Sequence, residues 1–195
     1  MGKQRKTETK NYIKIAFTEL LREKGMEGIT VMDIARKAGI NRGTFYTHYV
    51  DKFDLMEKLE GETIYELKQI LLQTDKVDLN DPIELIPYPL ILGALNYVKK
   101  DFSFISALAG EGGDPQFISM LKDILSELIT SKVALSTELQ FKNRGLQEDY
   151  AREILLSSAV AIILLWIKKG AQESPEEIAE LITKAKQISP YELLM

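Results

Sequence analysis

Within the stretch GINRGTFYTHYVDK, residues 39–52, hydrogen-bond donors crowd together and no carboxylate appears until Asp51. On a helix starting at Arg42, a rotation of 100° per residue puts Gly43, Thr44, Thr47 and His48 on one outward face, with Arg42 and Tyr46 on its flanks. That is chemistry for the edge of a base pair: arginine forks onto guanine, threonine meets a thymine methyl or a phosphate, and no acid repels the polyanion. An interior glycine disfavours a helix by about 1 kcal/mol against alanine, so Gly43 needs a reason. Two are open: close approach of the backbone to DNA, or relief of a clash with a neighbouring helix.

Other chemistries find little support. His48 is the only histidine and cysteine is absent, so a His/Cys zinc site has no ligand set. No acid is expected beside His48 to orient it as a base. Because no acid pair, nucleophile with base, or metal constellation emerges, no catalytic residue, metal or cofactor is expected, and the chain reads as a non-enzyme. GEGGDP, residues 110–115, lacks the Lys-Ser/Thr pair of a phosphate loop and follows no strand; it reads as a loop ending in a helix start at Asp114-Pro115.

The elements that must position this face are helical, so the fold class is all-α. Ile13, Ala16, Phe17, Leu20 and Leu21 follow i, i+3, i+4 spacing in a first amphipathic helix that Gly25 stops. Thr30 with Asp33 predicts a capped second helix through Ala38, and Gly39 ends it. Asn41 is an N-cap for a third helix from Arg42 to about Tyr49, and Asp51 caps a fourth. Phe45 and Tyr49, four apart, turn toward the core with Ile34, Ala35 and Ile40. Two short helices joined by a tight glycine turn make a helix-turn-helix.

The run ITVMDIARKAGINRGTFYTHYVDKFDLM, Ile29–Met56, closely resembles the signature of the TetR family of bacterial transcriptional regulators in order, spacing and residue type. The resemblance implies a homodimer on a palindromic double-stranded DNA operator, and a C-terminal helical domain that often binds a small-molecule effector. It implies that Arg42, Gly43 and Thr44 read bases and that Tyr46 and His48 reach phosphates. Lys52 would add its charge to the fourth helix's dipole on one phosphate. Thr30 matches a further phosphate contact, although its cap would also explain it. Lys3, Arg5, Lys6 and Lys10 form either an arm that grips DNA or a solvated tail.

Charge is distributed to match. Residues 1–52 carry +5 and the remainder −9, so a net charge of −4 conceals a basic N-terminal end. The same charges would also fit a solvated face. A composition of 45% apolar and 28% charged residues is that of a globular protein, and the lack of cysteine fits the cytoplasm. No signal peptide is expected from the basic opening, and the apolar run 154–170 falls short of the roughly 20 residues a membrane span needs.

The expected domains are residues 1–52, the helix-turn-helix unit, and 53–195, a regulatory and dimerisation domain. TDKVDLNDP reads as a linker, followed by a helix over about 82–99 whose start Pro87 and Pro89 should break. A short apolar segment, a long helix over 115–142, the apolar helix and a last helix over 175–187 capped by Ser174 and Glu177 complete the chain. The last two long helices fit the place of the family's two-fold bundle. GDPQF and what surrounds it are similar to the C-terminal domain of many Firmicutes TetR-type proteins, among them relatives of a dihydroxyacetone kinase regulator. Tyr97, Phe102, Phe117 and Trp166 are candidates for an effector pocket, with plain core as the alternative. Gly61 reads as a packing glycine or a bending point of the fourth helix. Function then divides between a ligand-released repressor and an activator or coactivator governed by a protein partner.

Overall fold

A computed structural model describes residues 2–72, 86–135 and 147–185, with side chains for 7–72, 86–131 and 147–185. Every regular element among them is an α-helix: α1 (Gly2–Gly28), α2 (Val31–Lys37), α3 (Arg42–Tyr46), α4 (Lys52–Leu71), α5 (Tyr88–Lys100), α6 (Phe102–Leu108), α7 (Phe117–Leu135), α8 (Glu148–Lys168) and α9 (Pro175–Ala185). The expected linker and the far ends of the 115–142 and 175–187 helices lie outside the described residues. The chain forms two compact units, residues 1–65 with 101–117, and residues 66–100 with 118–195. The division between residues 65 and 66 falls within α4, and α6 returns to the N-terminal helices.

In the first unit α1 packs against α2 and α6, and α2 against α3. Ile13, Phe17, Leu21, Ile34, Phe45, Leu55 and Leu108 are sealed from solvent between them. The expected stop at Gly25 is a kink, where the backbone turns to φ 65° before a last turn to Gly28. α1 also starts earlier than expected: residues 2–10 are helical. α6 is held to α1 by polar contacts as well as apolar ones. Lys14 pairs with Asp101, and Arg22 donates to the Ser103 carbonyl and the Ser106 hydroxyl, both at 2.6 Å. Beyond α6, the loop meets the kink itself, with the Met26 N–H donating to the Gly112 carbonyl at 3.0 Å.

In the second unit α9 packs against α5 and α8 around Leu95, Ala179, Ile178 and Trp166. α5 begins at Tyr88, immediately after Pro87, as the missing proline donor requires. α9 has the expected reciprocal cap: Ser174 N–H donates to Glu177 Oε2 at 2.7 Å, and Glu177 N–H to Ser174 Oγ at 3.2 Å. Among the described residues one helix, α8, is long and apolar enough by composition to cross a membrane, which the shorter run had not led us to expect. Its first two turns carry Glu148, Asp149, Arg152 and Glu153. The charge-free part, Ile154–Ile167, reaches about 21 Å, short of a hydrocarbon core of about 30 Å. We therefore read α8 as a protein-packing helix.

Candidate nucleic-acid interface

The approach to α3 is built from local caps. Thr30 Oγ1 accepts from Asp33 N–H at 3.1 Å and Thr30 N–H donates to Asp33 Oδ2 at 3.2 Å, closing a capping box on α2, while the Thr30 hydroxyl donates to the same oxygen at 2.8 Å. That hydroxyl contact, chiefly, holds the Asp33 carboxyl below its ordinary range, with Lys24 adding to it. Gly39 takes φ 67°, a left-handed turn that β-carbon residues resist, and Ile40 N–H closes onto the Ala35 carbonyl at 3.0 Å. The chain then enters α3 through Asn41, whose Oδ1 accepts from Thr44 N–H at 2.7 Å and from the Thr44 hydroxyl at 3.1 Å.

α3 is shorter than expected, ending at Tyr46 with a turn through Thr47. Its inward face is Phe45, fully buried, followed by Tyr49, buried to 4% exposure. Burial, with Glu62 and Asp54 nearby, raises the Tyr49 phenol to about 12, so it stays neutral in the core. Arg42, Gly43, Tyr46 and Thr47 are exposed, and Thr44 and His48 half-buried. The outward face thus carries the expected residues, and its aromatic is anchored: the Tyr46 ring stands edge-on to Phe45 at 5.6 Å. Arg42 lies over the same ring and donates to its hydroxyl at 3.2 Å. Among the described residues Arg42 has no carboxylate partner, whereas Arg36 pairs with Asp33 and Lys37 with Glu19 and Glu23. A guanidinium has five donors, so most of those on Arg42 stay available.

Of the two reasons for Gly43, relief of a clash with a neighbouring helix does not hold. No neighbouring helix stands near it. A β-carbon there would meet only Asn41 Oδ1, at 3.2 Å.

Lys52 is placed differently from the expectation. Its ammonium donates to the carbonyls of Met26 at 2.9 Å and Glu27 at 3.2 Å, so two of its three donors tie α4 to the end of α1. Meanwhile Asp51 Oδ1 takes the N–H groups of Phe53 and Asp54, and Asp54 Oδ2 takes that of Val50. The N-terminus of α4 is therefore already filled by carboxylates.

The effector candidates fall into different units. Phe102 and Phe117 belong to the first, where Phe117 is fully buried; Tyr97 and Trp166 belong to the second. Trp166 is core, with Nε1 donating to the Glu173 carbonyl at 3.0 Å in the turn before α9. A groove of about 680 Å³ between α7 and α8 is lined instead by polar side chains, its cations already paired as Lys122–Glu153 and Arg152–Glu148. Sequence reasoning did not single out Glu60, a buried carboxyl on α4. Its signal was its place on the apolar face that Leu59, Thr63 and Leu67 share.

An all-helical chain with a capped helix-turn-helix and an exposed, acid-free third helix defines the class of DNA-binding transcriptional regulators. Residues 16–59 match the model of the bacterial regulatory proteins of the tetR family, and residues 87–186 match that of a transcriptional regulator C-terminal region. The chain belongs to the TetR family of transcriptional regulators. It is 26% identical over 174 residues to the uncharacterized HTH-type transcriptional regulator YxbF of Bacillus subtilis, covering 87% of this chain but 42% of that protein. It is thus similar to less than half of YxbF's length. It is 24% identical to the HTH-type transcriptional repressor BepR of Brucella suis, over 82% of this chain and 81% of that one. Its fold is similar to that of a TetR-family regulator from Syntrophomonas wolfei, with a TM-score of 0.68 at 18% identity, over 93% and 94% of the two chains.

Proposed function

We propose that this chain is a cytoplasmic, homodimeric repressor that binds a palindromic operator through paired copies of α3 and is released by a small-molecule effector. The observation that carries this reading is the Arg42–Tyr46–Phe45 stack, a cation presented at the surface by a ring that the core itself positions. Gly43 and Thr44 beside it offer backbone and methyl to base edges, and Thr30, Tyr46 and His48 flank them as phosphate contacts. Lys52 contributes its remaining donor to a phosphate while holding α1 and α4 together. The repressor BepR is similar along most of its length, which favours repression over activation.

Mobility shifts on DNA flanking the gene, against unrelated duplexes, test this reading. Arg42→Ala should relax sequence preference at one base pair, costing about 1–3 kcal/mol on the operator and little elsewhere. Lys52→Ala should weaken every duplex and flatten the salt dependence by about one unit of slope. If both variants keep wild-type specific affinity, α3 is not the reader. A complex that also needs a second protein from the host would favour the coactivator reading instead.

A further inference from the structure

Arg42 and Tyr46 are the first and last residues of α3, four apart, so their side chains lie on one side of the helix. The guanidinium stands 5.8 Å from the centre of the Tyr46 ring, and its Nη2 donates to the phenol oxygen at 3.2 Å. No other acceptor among the described residues holds it. The ring is fixed in turn. Phe45, fully buried, meets it at 86° between planes, while Tyr46 itself is 48% exposed and carries its hydroxyl to the outward face.

The chemistry of the partner matters because DNA is a polyanion. Arg36 on α2 shows the alternative: Asp33 Oδ1 accepts from its Nη2 at 2.8 Å, and the carboxylate offsets its charge. A carboxylate at position 46 would hold Arg42 more firmly, but it would offset that charge too and repel phosphates. A phenol orients the guanidinium and leaves the charge whole. Its contact takes one of five donors, and the four left are enough for the two-pronged bond to guanine O6 and N7. An arginine free to swing exchanges one acceptor for another, a neighbouring base or a phosphate, so a substituted base pair costs it little. One held in place forfeits the fork.

We propose that Tyr46 is a positioning residue that determines specificity: its hydroxyl fixes the direction of the Arg42 fork, and the preference for guanine at the pair Arg42 reads depends on it. This role rests on the reading of α3 as the part that meets the operator. It goes beyond a phosphate contact, because Tyr46 then acts on base choice by way of its neighbour.

The test takes the full chain and a library of duplexes with a randomised core, from which the wild type selects a preferred sequence. Binding is then measured on that duplex and on a panel with each pair substituted in turn, for the wild type, Arg42→Ala, Tyr46→Phe and the double variant. Each result is the ratio of substituted to preferred duplex, so a uniform loss from a missing phosphate contact cancels. Arg42→Ala should abolish discrimination at one pair of each half-site. Tyr46→Phe keeps the ring and loses the hydroxyl, and should lower discrimination at that same pair by about fivefold. The double variant should match Arg42→Ala. In the chain without DNA, nitrogen-15 relaxation should show the Arg42 Nε–H less ordered in Tyr46→Phe than in the wild type. If Tyr46→Phe weakens every duplex alike and leaves the ratios unchanged, Tyr46 is a phosphate contact alone, and the proposal falls while α3 remains the reader. Equal order of Arg42 in the two free proteins also overturns it. If Arg42→Ala leaves every ratio unchanged, or the wild type selects no sequence, the reader assignment falls and the proposal with it.

Discussion

At Gly43 the requirements of folding and of binding separate. Alanine is the better helix former by about 1 kcal/mol, and its β-carbon would press only on the end of the Asn41 side chain, at 3.2 Å. That side chain can yield a few tenths of an ångström at the expense of its bond to Thr44. Gly43→Ala should therefore change stability by less than about 1 kcal/mol in either direction. Specific DNA affinity should fall at least about tenfold, or 1.4 kcal/mol, because a methyl group would stand where the backbone meets the bases. Thermal melts and mobility shifts on one preparation would separate the two effects. Wild-type affinity in the variant would leave this glycine without a binding role. The proximity of Asn41 was hidden in the sequence: a cap at i and a glycine at i+2 read as separate features until their atoms are placed.

Among the helices, the same small residue has opposite consequences in two places. Gly112 sits where the loop before α7 crosses α1, and a β-carbon would meet backbone atoms that no rotamer change can move. Gly61 lies within α4 with nothing inside 4 Å, so neither packing nor close approach requires it there. Gly112→Ala should cost about 1–3 kcal/mol and lower the melting temperature by several degrees; Gly61→Ala should raise it by a few. Equal shifts from the two variants would show that the crossing does not constrain the fold. What the sequence disclosed at this scale was what is local. The caps at Thr30, Asn41, Asp51 and Ser174 each act within three residues, and period 3.6 found Phe45 and Tyr49. The return of α6 to α1 was not legible, since Lys14 and Asp101 stand 87 residues apart and neither looks unusual alone. Glu60 was missed for another reason: its charge argues for the surface, whereas its place on the face of Thr63 and Leu67 buries it.

For the whole molecule, the proposed reading of an operator would need two copies of α3 one turn of DNA apart, about 34–36 Å, and we place the seam of that dimer on α8. Tyr150, Ile154, Ala161 and Leu165 are exposed, and at 100° per residue they fall within about 60° of one another along the helix. Leu181 on α9 is exposed as well. An apolar stripe running the length of a helix is costly to leave in water, and a two-fold axis would bury it against itself, so that each side chain counts twice. Ser157 and Ala161 are small enough to let two such helices approach. Ile154→Lys with Leu165→Lys should therefore dissociate the dimer without unfolding the chain, because both side chains already face solvent in one copy. Sedimentation should then report the monomer mass of 22.1 kDa, where the wild type should give twice that. Specific DNA binding should collapse with the dimer, because a lone α3 loses the effective concentration that its tethered partner supplies, commonly a factor of about 100 or more. Circular dichroism would confirm that the helices persist. If the doubly substituted chain stays dimeric, the stripe on α8 is not the seam; if it is monomeric yet binds the operator at full strength, one copy suffices and the palindromic reading fails.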